Sequence, residues 1–126
     1  MSLTPNGLKY TKTHEWAKVS ANKITVGITD HAQHEITDIV HVELPVIGKI
    51  VEKGTPCVVV ESVKSAFDIY APVSGKITAI NDNLNTSPEL INQDPYGAGY
   101  LIEIETTNQQ QLDELLDVNG YLESIK

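Results

Sequence analysis

The chain contains no arginine. Its nine bases are all lysines, set against seventeen acids, for a formal net charge of −8. A planar bidentate clamp for phosphates or carboxylates is therefore missing. Nucleic-acid binding, which needs clustered positive charge, is argued against by the same balance. Between Lys76 and Lys126 no base occurs at all, while nine acids do. This one-signed back half keeps the chain soluble and steers it toward positively charged partner surfaces. Cysteine is nearly absent too: Cys57 stands alone, so no internal disulfide can form. Lying in the apolar run Cys57-Val58-Val59-Val60, it reads as a small buried hydrophobe rather than a nucleophile. No apolar run approaches membrane-spanning length. Residues 1–7 show no basic region followed by an apolar block, so no signal peptide is expected and the chain should work where it is made. Neither a Ser/His/Asp set nor a phosphate-cradling loop is visible; Gly97-Ala98-Gly99 follows a loop instead of a strand entering a helix. No enzyme activity is expected from such a chain.

What the chain has is a series of short β-patterned segments with turns between them. At 126 residues and 40% hydrophobic it is the size of one domain and can bury a core unaided. One domain over residues 1–126 is expected, with 1–7 loosely ordered and 108–126 forming a helical end. Strands are predicted around residues 8–10, 14–19 and 24–28, the last two as a hairpin about Ala21-Asn22-Lys23. Thr29 or Asp30 can cap a short helix to about Ile36. In Asp38–Leu44, alternation puts Val40, Val42 and Leu44 on one face and Ile39, His41 and Glu43 on the other. Further strands are predicted at 48–51, 75–80 and 100–105. Ser87 and Pro88 read as the cap and first position of one helical turn. Beyond Asn108, Leu112, Leu115 and Leu116 fall at helical spacing, Asn119-Gly120 breaks the run, and a second short helix follows from Tyr121. Gly48-Lys49-Ile50-Val51 echoes Gly75-Lys76-Ile77-Thr78, as a quasi-two-fold arrangement about the middle of the chain would. An all-β sandwich or barrel with minor helices follows.

The stretch Glu61-Ser62-Val63-Lys64-Ser65-Ala66-Phe67-Asp68 lies between those echoes. An apolar strand precedes it and Ile69-Tyr70-Ala71-Pro72-Val73-Ser74-Gly75 follows, so Lys64 is predicted at a hairpin tip. Most exposed lysines only solubilise. A lysine held out on a stiff hairpin also suits a covalent attachment point, which must be reachable by a ligase and fixed in shape. His31, His34 and Glu35 fall at helical spacing, but with no third strong ligand they read as solvated or capping groups, and no metal site is assigned.

Several blocks of the sequence resemble a known family, the H proteins of the glycine cleavage system. These are Tyr10-Thr11-Lys12-Thr13-His14-Glu15-Trp16, Val26-Gly27-Ile28-Thr29-Asp30-His31-Ala32-Gln33, Val42-Glu43-Leu44-Pro45, Glu61-Ser62-Val63-Lys64, Asp68 to Gly75, Pro88-Glu89-Leu90-Ile91-Asn92 and Asp94-Pro95-Tyr96-Gly97. They run in family order along nearly the whole chain. The resemblance implies a mainly β barrel-sandwich hybrid of the lipoyl/biotinyl type with short helices, including C-terminal ones. It implies one lipoate, amide-linked to Lys64, with Glu61, Ser62, Val63, Ser65 and Asp68 as neighbours of the attachment site. Expected partners are the glycine decarboxylase (P protein), the tetrahydrofolate-dependent aminomethyltransferase (T protein), the dihydrolipoyl dehydrogenase (L protein) and lipoylating enzymes. The chain is expected to be a monomeric carrier, with no catalytic residues, in a bacterial cytoplasm. In this family the loaded arm folds back onto the protein, and Glu15 and Asp68 are the candidate carboxylates for its amine. The chain departs from the family pattern at His41, where Phe is usual, and at Tyr100, where Trp is usual. Phe67 is bulky beside the arm, and Glu103 and Glu105 replace common lysines. Biotinyl domains place Met on both sides of their lysine, where Val63 and Ser65 stand here. Generic lipoyl domains are shorter and show Asp-Lys-Ala. A lipoyl relay to other complexes and an unmodified binding module remain the alternative readings.

Overall fold

The computed structural model describes residues 4–106 and 108–125. Among the described residues, nine strands form two antiparallel sheets. β1 (Lys9–Tyr10), β2 (Glu15–Ser20), β3 (Lys23–Ile28), β9 (Ile102–Glu105), β8 (Gly75–Ile80) and β5 (Ile50–Val51) lie in that order in the larger sheet. β4 (Ile39–Glu43), β6 (Pro56–Ser62) and β7 (Ala66–Tyr70) form the smaller. The inner faces meet over β-branched side chains, among them Ile24, Val26, Val42, Val60, Ile77 and Ile104. Each such buried side chain contributes roughly 1.5–3 kcal/mol. This is the mainly β sandwich of lipoyl type that the resemblance implies, with four short α-helices among the described residues: α1 (Asp30–Ile36), α2 (Leu90–Gln93), α3 (Gln109–Asp113) and α4 (Val118–Ser124). None of them is long and apolar enough to cross a membrane.

The echoed segments prove to be neighbours. β5 pairs antiparallel with β8, Ile50 opposite Lys76 and Val51 opposite Gly75. In sequence they bracket the β6–β7 hairpin of the smaller sheet.

Three local expectations need correction. The alternation through Ile39–Glu43 fails because the ladder to β6 shifts between Ile39 and His41. That bulge buries both Ile39 and Val42 and leaves Val40 53% exposed. Ser87 does not cap α2 with its side chain; the helix begins at Leu90 and its first turn is closed through backbone carbonyls of Ser87 and Pro88. Asn119-Gly120 does not break the C-terminal helix but lies inside the first turn of α4, where the Asp117 side chain caps Gly120 N–H at 2.8 Å. The cap predicted at Thr29 is present: its hydroxyl accepts from Ala32 N–H at 3.2 Å.

A second, aromatic cluster lies outside the sandwich. Tyr10, Trp16 and Tyr121 are fully buried there, with Tyr96 and Tyr100 packed against them. Tyr10 and Tyr121 stack at 4.8 Å, and Trp16 Nε1 donates to Pro95 O at 2.9 Å. Reciprocal backbone bonds between Tyr10 and Leu116 fasten the helical end to the sheet. Gly27 lies opposite Trp16 in the ladder, and any Cβ there would sit 2.5 Å from the indole nitrogen. The residue is glycine to make room for a ring. Of the stretch expected to be loosely ordered, residues 1–3 lie outside the described residues, while Pro5 O accepts a bond from the Tyr10 hydroxyl.

Candidate functional site

The β6–β7 hairpin places Lys64 at its tip. Glu61 pairs with Ala66, and residues 62–65 make the turn. Ser62 N–H donates to Ser65 O at 2.8 Å and closes it. Lys64 and Ser65 are exposed, Glu61 and Ser62 partly so, and Val63 is 74% exposed. Among the described residues no hydrogen bond or ion pair engages the Lys64 ammonium. The amine is therefore accessible and uncommitted, which fits an acyl attachment point.

Register separates the hairpin's two faces. Val42, Val60 and Phe67 form one row and Glu43, Val59 and Asp68 the next. Since Val42 and Val60 are core residues, Phe67 points the same way and overhangs the core rim, 38% exposed. Below it opens a cleft of about 230 Å³ walled by Thr13, His14, Ile28, Phe67 and Ile69, and by Ala32, Glu35 and Ile36 of α1. Asp68 borders this cleft, but its row belongs to the outer face with Glu43. Glu61 lies on that outer face too, directly across from the exposed His41. The apolar walls beside a free lysine suit a short hydrophobic arm. Another cavity, of about 190 Å³ between Leu44, Lys49 and Pro56–Val59, lies toward the opposite end of β6 from the tip.

Glu15 is no surface acid. Only 1% of it is exposed. Its carboxylate accepts from the Thr11 and Thr13 hydroxyls and from Tyr70 N–H at 3.4 Å, joining β2 to the end of β7. Burial pushes its pKa above the ordinary carboxylate value, and those hydrogen bonds only partly oppose the rise. The folded state thus holds a proton on Glu15 more tightly than the unfolded chain does. Stability associated with this group is largest at low pH and is lost as pH rises through the folded-state value. In Glu15→Gln that loss should vanish. Thermal midpoints of parent and variant, compared between about pH 4 and 8, should shift in the variant's favour as pH rises. A constant difference across the range contradicts the buried-carboxylate reading.

Behind the cleft wall, His14 Nδ1 and the buried Tyr121 hydroxyl are 2.8 Å apart, and the same hydroxyl lies 2.8 Å from Thr29 Oγ1. Burial above all, and then the neighbouring His31 ring at 4.8 Å, lower the His14 pKa. His31 Nε2 pairs with Glu35 at 2.8 Å and His34 with Asp30 at 3.5 Å, so both histidines on α1 are engaged by carboxylates. In the sequence Glu35 stands out only beside those histidines. Its place in the cleft wall could have been read from Ala32, Glu35 and Ile36, whose i, i+3, i+4 spacing shares one helix face. Cys57 is buried, with Sγ 3.5 Å from Ile69 O and its thiol pushed up to about 12 by desolvation. Of the departures from the family pattern, Tyr100 packs into the aromatic cluster and Glu103 pairs with Lys23 at 3.4 Å. Such surface pairs are worth about 0–1 kcal/mol.

Comparisons with known proteins give the family of the chain. A family model described as glycine cleavage H-protein matches residues 8–126. The glycine cleavage system H protein of Endomicrobium trichonymphae is 62% identical over 117 residues, covering 93% of this chain and 94% of that one. That of Thermus thermophilus is 52% identical over 122 residues, covering 97% and 95%. The crystal structure of a glycine cleavage system H protein from Mycobacterium marinum superposes with a TM-score of 0.87 at 36% identity, covering 96% of this chain and 98% of that one. Family model, close relatives and fold coincide over almost all of the chain, which belongs to the glycine cleavage H-protein family.

Proposed function

We propose that this chain is the lipoyl-bearing shuttle of a glycine cleavage system, with the lipoyl group held in amide linkage on Lys64. The observation that carries the reading is the free, solvent-exposed amine of Lys64 on a closed hairpin beside an apolar cleft, in a chain of this family. Held on Lys64, the group would supply a reducible disulfide able to carry an aminomethyl fragment between the glycine decarboxylase and the tetrahydrofolate-dependent aminomethyltransferase, with dihydrolipoyl dehydrogenase as the oxidant that restores it. The chain's own side chains make or break no bond in that cycle. The hairpin holds the attachment point in solvent, raising its effective concentration at each partner's site. Phe67, Ile28 and Ile69 offer an apolar wall, and Thr13 a hydroxyl, where an arm can be sheltered from water. Glu35 and Asp68 at the cleft are the carboxylates that favour a cationic amine there, while Glu15, buried behind the Thr11 and Thr13 hydroxyls, is closed to direct contact with it. The net charge of −8 steers the shuttle toward basic docking surfaces on partners. The reading places the chain in a bacterial cytoplasm, as a monomer that is itself no enzyme.

A reconstitution tests this. Chain lipoylated in vitro, mixed with glycine and a glycine decarboxylase, should make carbon dioxide release dependent on the chain and saturable in its concentration. A fully lipoylated chain that leaves the decarboxylase idle contradicts the proposal.

A further inference from the structure

The hairpin that presents Lys64 ends its ladder at Glu61–Ala66, leaving residues 62–65 as the loop. None of these four has positive φ, and none is the Gly, Asn or Asp that commonly fixes a hairpin turn. Another device must fix the tip. The Ser62 side chain supplies it. Its Oγ accepts from Lys64 N–H at 3.3 Å and from Ser65 N–H at 3.2 Å, and lies 3.3 Å from Ser65 O. The hydroxyl stands where a backbone carbonyl would otherwise receive the turn's hydrogen bond. Val63 and Lys64 are themselves too exposed for packing to hold them. Among the described residues, every hydrogen bond that orders 63–65 involves Ser62.

We infer that Ser62 is a positioning residue for the acylation of Lys64. The inference rests on the reading of Lys64 as the lipoyl attachment point. In that step the free amine of Lys64 attacks the acyl carbon of an acyl adenylate. A C–N bond forms, the bond from acyl carbon to phosphate oxygen breaks, AMP leaves with the electron pair, and a proton passes to solvent. Ser62 touches none of the reacting atoms. It narrows the conformations of the tip to the one a ligase must bind. Removing it lowers the fraction of competent hairpin, which raises the apparent KM by that fraction and leaves kcat alone. A threonine keeps the hydroxyl and its β-carbon attachment, so it should restore the turn.

The test is steady-state lipoylation of the unmodified full chain by a lipoate–protein ligase, followed by intact mass, for the parent, Ser62→Ala and Ser62→Thr. For Ser62→Ala, KM should rise about fivefold to tenfold with kcat within about twofold, the scale of one lost hydroxyl network. Ser62→Thr should lie within about twofold of the parent in both constants. Because the site is at the surface, both variants should melt within about 2 °C of the parent. A Ser62→Ala chain with the parent's KM, or a threonine variant as impaired as the alanine one, overturns the inference. Either result, obtained with a parent modified at Lys64, leaves the functional reading intact. A parent that the ligase does not modify at Lys64 removes that reading and this inference together.

Discussion

A Lys64→Arg chain is expected to melt at the parent's temperature and to reduce glycine turnover in a reconstituted system to the level seen without any carrier. The two halves of that result have separate causes. Lys64 is exposed and its ammonium has no partner among the described residues, so the substitution stays within the roughly 0.5 kcal/mol typical of surface changes. Arginine keeps the positive charge and most of the length. It cannot serve as the amine nucleophile, since its guanidinium stays protonated. Charge steering toward partners is therefore preserved while the attachment point is lost. A carrier acts by raising the effective concentration of its cargo, and without an attached arm there is none to raise. The measurement is carbon dioxide release from labelled glycine beside a melting curve of the same sample. Turnover close to the parent's would show that the arm is attached elsewhere or not needed.

The largest expected loss of stability belongs to Gly75→Ala. Gly75 opens β8 between β5 and β9. A Cβ built there would sit 2.2 Å from the Glu105 carbonyl oxygen and 2.7 Å from Ile104 Cγ2. The nearer obstacle is backbone, held in the β8–β9 ladder by the pairing of Lys76 with Glu105 and Ile77 with Ile104. It cannot swing aside as a long side chain could. Relief requires the strands to part, next to the fully buried Ile77 and Ile104. Overpacking of ordinary cores costs about 1–3 kcal/mol, and this site lies at or beyond the upper end. At about 3 kcal/mol, the midpoint should fall by roughly 10 °C in a chain of this size. The comparison with Gly54→Ala is informative. Gly54 has no atom within 4 Å of its would-be Cβ but a φ of +83°, so its loss reflects backbone strain alone. That should be about 1 kcal/mol, the ordinary scale for a left-handed residue. A Gly75→Ala chain no less stable than Gly54→Ala would mean that the sheet yields at this point.

Most of the architecture was legible because its signals are local. The turn at Ala21-Asn22-Lys23 marked the β2–β3 hairpin, the hydroxyl of Thr29 marked the start of α1, and the change of period after Asn108 marked the helical end. The hairpin at Lys64 followed from an apolar strand, a polar tip and a second strand. What escaped reading depends on partners distant in sequence. The bulge in β4 arises from its pairing with β6, and nothing within Ile39–Glu43 announces it. Glu15 resembles any acid at a strand's edge until Thr11, Thr13 and Tyr70 close around it. Tyr121 is one aromatic in a short helix; its bonds to His14 and Thr29 span 107 and 92 residues of chain. Closeness to Lys64 in sequence points to Asp68, which borders the cleft from a row shared with Glu43; Glu35, which also lines the cleft, lies far from Lys64 in sequence.

The intact mass of the chain, expressed in cells with working lipoylation machinery and followed by peptide mapping, addresses Lys64 most directly. The predicted result is a shift of one lipoyl group, located on Lys64 and absent from Lys64→Arg. An unmodified chain, a biotinyl shift, or a lipoyl group on any other lysine would contradict it.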